Sequence, residues 1–104
     1  MIKNKKTLII GATTKPERAA YRAIEMLTAK GHSVIALGQN TGEVAGIKIN
    51  TKAIPVKNID TISLYINPTR QRDYYNYILE GKPKRVLFNP GTENPEFYQL
   101  LELN

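Results

Sequence analysis

The sequence predicts a three-layer α/β domain, a parallel sheet of four or more strands with helices on both faces, and three observations lead there. Short apolar runs alternate with stretches of helical periodicity from one end of the chain to the other. The first run, Thr7-Leu8-Ile9-Ile10, passes through Gly11 into small and hydroxyl residues and then a helical pattern, as a strand hands over to a helix in an open α/β unit. Four runs end in Gly, Asn or Pro, and right-handed crossovers would gather those ends along one sheet edge.

Taken in order, Thr7 to Ile10 is an uninterrupted apolar run of the kind a parallel sheet buries on both faces. A helix is expected from about Pro16 to Lys30. Pro16 suits a first helical position, and Ala19, Ala20, Ala23, Ile24 and Leu27 recur at helical spacing as a small-residue face. Gly31 stops it, with Lys30 at the negative end of its dipole. The second strand is Val34 to Leu37. Gly42 to Ile49 reads as a loop with two glycines in which Ile47-Lys48-Ile49 forms a small extended piece. The third strand, Thr61 to Ile66, stops at Asn67-Pro68-Thr69, where Pro68 prevents further pairing and Asn67 or Thr69 can cap a helix. That helix runs from Arg70 to Glu80, with Gly81 and Pro83 as its stop. A fourth strand covers Arg85 to Phe88, and Pro95 opens a last helix from Glu96 to about Leu103.

Composition narrows the function classes. A chain of 104 residues supports one domain, residues 1–104, and one site; 41% hydrophobic and 23% charged residues are ordinary for a globular protein. The absence of cysteine removes disulfides, thiolate metal sites and cysteine nucleophiles, and a single histidine argues against zinc. That residue, His32, lies in a turn and reads as a packing or surface residue. No apolar run reaches the ~18 residues of a membrane span and the N-terminus lacks an apolar signal region, so a soluble cytoplasmic protein is expected. The formal charge of +6 permits a polyanionic partner. It is spread along the chain, and the tyrosines of Arg72-Asp73-Tyr74-Tyr75-Asn76-Tyr77 read as helix packing, so nucleic-acid binding is disfavoured. Stacking on adenine and a homodimer face stay open as alternatives for Tyr65, Tyr74, Tyr75 and Tyr77.

The first connection has the chemistry of a phosphate site. Gly11 lets the backbone approach an anion, Thr13 and Thr14 add hydroxyl donors, and Lys15 and Arg18 add charge near a helix N-terminus. It is neither standard loop: positions 13 and 16 are Thr and Pro where a dinucleotide fingerprint has glycines, and a P-loop's second glycine is missing. After the second strand, Gly38-Gln39-Asn40-Thr41 offers no acid for an NAD ribose. Lys15 and Arg18 could hold a ribose phosphate, so an NAD(P)-binding redox enzyme or regulator is the alternative reading. No nucleophile, base and acid set can be assembled, and Glu17, Glu43 and Glu93 read as solvated or capping carboxylates.

The segments Gly11-Ala12-Thr13-x-x-Pro16-x-Arg18-x-x-Tyr21, Gly31-His32-x-Val34-Ile35 and Gly42-Glu43-Val44-x-Gly46-x-Lys48 together resemble those of the small bacterial CoA-binding proteins. Tyr65-Ile66-Asn67-Pro68 and Phe88-Asn89-Pro90-Gly91-Thr92-Glu93-Asn94-Pro95 fit one branch of that family. Its members are single Rossmann-like domains similar to the CoA-binding domain of succinyl-CoA synthetase alpha chains. The resemblance implies a non-catalytic binder of coenzyme A or an acyl-CoA. It implies the diphosphate and the ribose phosphate near Gly11, Ala12, Thr13, Thr14, Lys15, Pro16 and Arg18. Adenine would lie among Gly38, Gln39, Asn40, Ile66, Asn67 and Pro68, with Asn89 to Gly91 at the rim and Arg70 as a further cation. Members of the family continue into one more strand after the last helix; with the chain ending at Asn104, a sheet without that strand is expected.

Overall fold

The computed structural model describes residues 4–103. Its strands are β1 (Thr7–Ile10), β2 (Val34–Leu37), β3 (Gly42–Val44), β4 (Ile47–Asn50), β5 (Thr61–Leu64) and β6 (Arg85–Phe88). Its α-helices are α1 (Ala19–Ala29), α2 (Pro68–Gln71), α3 (Tyr75–Gly81) and α4 (Pro95–Glu102), with a 3₁₀ turn over Arg72–Tyr74. The strands form one sheet in the order β3-β4-β2-β1-β5-β6. Every pair is parallel except β3 with β4. Thr7 of the central strand pairs with Val34 on one edge and Thr61 on the other, and all four β1 residues are buried, as an unbroken apolar run requires.

The side chains of β1 alternate between two cores. Leu8 and Ile10 join Ile62, Leu64, Ile78 and Phe97 on the α3–α4 face, while Ile9 joins Ala36, Ala20 and Ile24 on the α1 face. Alanines let α1 lie close to the sheet there. At the C-terminal end of α1, Gly31 takes φ +84° and His32 N returns to Leu27 O at 3.0 Å, the stop expected of Gly31.

Four elements differ from the sequence expectation, each for a local reason. Helix α1 starts at Ala19 instead of Pro16. Pro16 occupies the second position of a turn closed by Arg18 N to Lys15 O at 3.0 Å, a place its fixed φ suits as well as a helix start. Gly42 to Ile49 is a β-hairpin, which makes the sheet mixed at one edge. Its two turn residues, Ala45 and Gly46, have φ of 51° and 82°, the backbone of a tight hairpin turn with Ala where Asn or Asp is usual. The third strand ends at Leu64, two residues short of Ile66, although Tyr65 N still donates to Ile10 O at 2.9 Å. The helix expected from Arg70 to Glu80 begins at Pro68, capped by Asn67, and is broken by the 3₁₀ turn. At its far end the left-handed residue is Lys82, φ 45°, and not Gly81.

The break serves a buried polar network. Gln71 is fully buried, and its Nε2 donates to Ile66 O at 2.9 Å and Thr92 O at 2.8 Å. Its Oε1 accepts from Asn94 Nδ2 at 2.9 Å, and that amide also donates to the Tyr75 hydroxyl at 2.7 Å. The Asn94 Oδ1 caps α4 by accepting from Phe97 N at 3.1 Å. The connection after β5 is thereby tied to the connection after β6.

At the surface the network ends on Glu96, whose Oε2 accepts from Tyr75 at 2.8 Å and from Arg72 Nε at 3.3 Å. The Tyr75 hydrogen bond, then the Arg72 charge, hold its carboxyl below the usual range. A carboxyl lowered in the folded state adds stability above its unfolded pKa of about 4.3 and loses it as pH falls through the folded value. Thermal melts between about pH 3 and pH 7 should therefore show a shallower acid loss of stability for Glu96→Gln than for the parent.

Candidate functional site

The carboxyl ends of β1, β2 and β5 open into a cavity of about 450 Å³, a size ordinary for a small-molecule site. Its floor is the β1–α1 connection. Gly11 takes φ +100°, and a Cβ there would stand 3.0 Å from the Tyr65 carbonyl, so both conformation and closeness demand glycine. The N–H groups of Gly11 and Ala12 both donate to Leu37 O, at 2.9 and 2.8 Å, which pins the loop to the end of β2. Thr13 Oγ1 accepts from Lys15 N at 3.2 Å and shapes the next turn. Helix α1 then begins at the cavity wall through Ala19 and Ala20, with no side chain capping its first turn and no acid in it. Those first-turn N–H groups are left for an anion.

The structure brings Gly11, Ala12, Thr13, Thr14, Lys15, Arg18, Gln39, Asn40, Ile66 and Arg70 into this one cavity. It gives the other candidates different places. Pro16 forms the turn before α1. Gly38 lies beneath the first loop, where a Cβ would come within 2.3 Å of Ala12 O. Asn67 caps α2 by accepting from Arg70 N at 3.0 Å, and Pro68 is that helix's first residue. Asn89 donates to Ser63 Oγ at 2.9 Å and Leu64 O at 2.8 Å, sealing the end of β5 to β6. Gly91 takes φ +91° and donates to Glu93 Oε1 at 2.8 Å. Ala19, Ala20, Tyr65 and Pro90 also line the wall. Pro90 falls within the rim expected from Asn89 to Gly91, and the alanines could have been found from the helix start.

The electrostatics are one-sided. Lys15, Arg18 and Arg70 line the cavity, and no carboxylate is among its described lining residues. Of the five arginines in the chain, the three outside the cavity are each tied to an oxygen. Arg22 donates to Glu17 O at 2.9 Å, Arg72 to Glu96 at 3.3 Å, and Arg85 to Thr61 Oγ1 at 2.7 Å. The guanidiniums of Arg18 and Arg70 have no such partner among the described residues. His32 sits at the opposite end of the strands, where its Nδ1 accepts from Lys5 N at 3.0 Å; it holds the start of β1 to the α1–β2 turn. Among the described residues no cluster of three metal-ligating side chains occurs, and no helix is long and apolar enough to cross a membrane.

The same fold occurs in known proteins. The family model described as "CoA binding domain" matches residues 5–104. No curated protein matches the chain. Among solved structures, an uncharacterised protein is 49% identical, with a TM-score of 0.93 over 98% of this chain and 84% of its own. A hypothetical protein of Pyrococcus horikoshii OT3 is 28% identical, with a TM-score of 0.84 over 97% of this chain and 72% of its own. A conserved hypothetical protein of Pyrococcus furiosus is 25% identical, with a TM-score of 0.82 over 95% of this chain and 86% of its own.

Proposed function

Because the chain belongs to the CoA binding domain family over residues 5–104, we propose that it binds coenzyme A or an acyl-CoA in the cavity at the strand ends. The diphosphate lies over Gly11 to Lys15 against the first turn of α1. The observation that carries this reading is the pair of arginines left without partners in a wall that holds no acid. Arg18 is exposed and Arg70 half-buried, and a phosphate-rich ligand supplies both with acceptors in bidentate geometry. Gln39 and Asn40 at the end of β2 offer amide groups to a base or ribose, where an NAD site has a carboxylate. The wall presents hydroxyls and cations but no imidazole, thiol or carboxylate to serve as a base, which supports a binding module over an enzyme.

Isothermal titration calorimetry of the protein against CoA, acetyl-CoA, NAD and NADP tests the proposal. CoA and acetyl-CoA are expected to bind, and each of Lys15→Ala and Arg18→Ala should cost about 1.5–3 kcal/mol as a charge-assisted contact is lost. A preference for NADP would favour the redox reading. Binding of none of the four would overturn the ligand assignment.

A further inference from the structure

A second cavity, of about 570 Å³, lies at the opposite end of the sheet from the first. It opens beside Arg85 and Val86, where β6 begins, and Arg85 pairs with Thr61 at the start of β5. Its body is aliphatic: Ile78 and Leu79 come from α3, Val86 from β6, Leu101 from α4, and Pro83 from the connection between α3 and β6. Ile78 is fully buried, whereas Leu79, Val86 and Leu101 are half-buried, so part of this apolar wall still faces water. No aromatic ring is among the described lining residues.

The lip is cationic. Lys82, Lys84 and Arg85 are exposed there, and no carboxylate is among the described lining residues. Arg85 is fixed by its 2.7 Å hydrogen bond to Thr61 Oγ1. Asp60, outside the lining and 3.9 Å from Arg85 Nε, serves several cations at once: the Thr61 hydroxyl first, then the charges of Lys5, Lys84 and Arg85, hold its carboxyl below the usual range. Lys82 is not among those charges, and its side chain has no partner among the described residues. It also takes φ 45°, a left-handed backbone that glycine adopts at no steric cost.

From this aliphatic body and cationic lip we infer that the cavity is a second binding site, for a small amphipathic anion, namely an aliphatic carboxylate of medium chain length. The volume suits a small molecule. The alkyl chain would take apolar wall out of water, and the carboxylate would meet Lys82 and Lys84. A cationic amphiphile of the same shape finds no acid at the lip. The inference is independent of the coenzyme reading, since the two cavities share no lining residue.

The test is a titration of octanoate into the ¹⁵N-labelled protein, followed by amide chemical shifts, with acetate and octylamine as probes lacking the chain or reversing the charge. Octanoate should bind with a Kd of about 1 mM or tighter and shift the amides of Leu79, Lys82, Val86 and Leu101. Decanoate should bind up to about 10-fold more tightly than octanoate, acetate should give no saturable shift, and octylamine should bind about 5-fold more weakly or worse. Lys82→Gly and Lys84→Gln should each weaken octanoate about 2- to 5-fold, the worth of an exposed ion pair. Lys82→Gly should melt no lower than the parent, because glycine favours the left-handed backbone, so its loss of binding is not a loss of fold. The Lys15→Ala, Arg18→Ala variant should bind octanoate as the parent does. Equal affinity for octanoate and octylamine, unchanged octanoate affinity in both lysine variants, shifts confined to Gly11 to Lys15, or no saturable shift at all would each overturn the inference.

Discussion

Gly38→Ala should destabilise the protein and abolish ligand binding together, although Gly38 lines no part of the cavity. The added Cβ would stand 2.3 Å from Ala12 O, and backbone on both sides prevents an inexpensive rearrangement. Gly38 N is held to Asn50 O at 2.9 Å, while Ala12 N is held to Leu37 O at 2.8 Å. Relief requires moving the loop that carries Thr13 to Lys15 off the end of β2. Overpacking of this kind costs about 1–3 kcal/mol, and each kcal/mol lowers the melting temperature of a domain this size by roughly 4–8 °C. Gly81→Ala is the matched control. Its Cβ would meet only Val56 Cγ2, at 3.9 Å, so it should change stability by less than about 1 kcal/mol and leave binding intact. Differential scanning calorimetry and CoA titration of the two variants separate the cases.

The second large effect is expected of Gln71→Leu. Leucine fills similar volume but removes two donors and an acceptor from a fully buried position, leaving Ile66 O and Thr92 O without that partner and Asn94 Nδ2 with Tyr75 alone. Each buried polar group left unsatisfied costs about 1–3 kcal/mol, so a loss on the order of 3 kcal/mol or more is expected, a large share of a small domain's stability. Urea denaturation measures it directly. The same substitution frees the connection bearing Arg70, so CoA affinity should fall in this variant even at temperatures where it remains folded. A variant as stable as the parent would show that the Gln71 network contributes nothing net.

The residues that were legible from sequence are those whose chemistry acts locally. Gly11 between an apolar run and a helical pattern, and the Gly, Asn and Pro residues closing four strands, were enough to gather the strand ends into one site. What stayed hidden was the division of labour among those residues. Asparagine at a strand end can meet a ligand or satisfy the chain's own backbone, and Asn67 and Asn89 do the latter. The β3–β4 hairpin was masked by Ala45, which takes a left-handed conformation that Asn would have announced. The Gln71–Asn94 bond joins residues 23 apart in sequence, and no periodicity or spacing rule speaks to such a pair.

The strand order also dictates when the protein can acquire its site. β1 is made first, yet its partners begin at Val34 and Thr61, so its two sides close only after long stretches of chain have been synthesised. The hairpin is the one sheet contact that forms between near neighbours in sequence. Tyr65, Ile66, Arg70 and Pro90 complete the wall from the C-terminal half, so a nascent chain released before Pro90 carries the phosphate loop without its opposite wall. Under the proposed reading, ligand capture waits for the wall that runs to Pro90, and bound coenzyme would favour the folded chain by mass action instead of guiding its early steps.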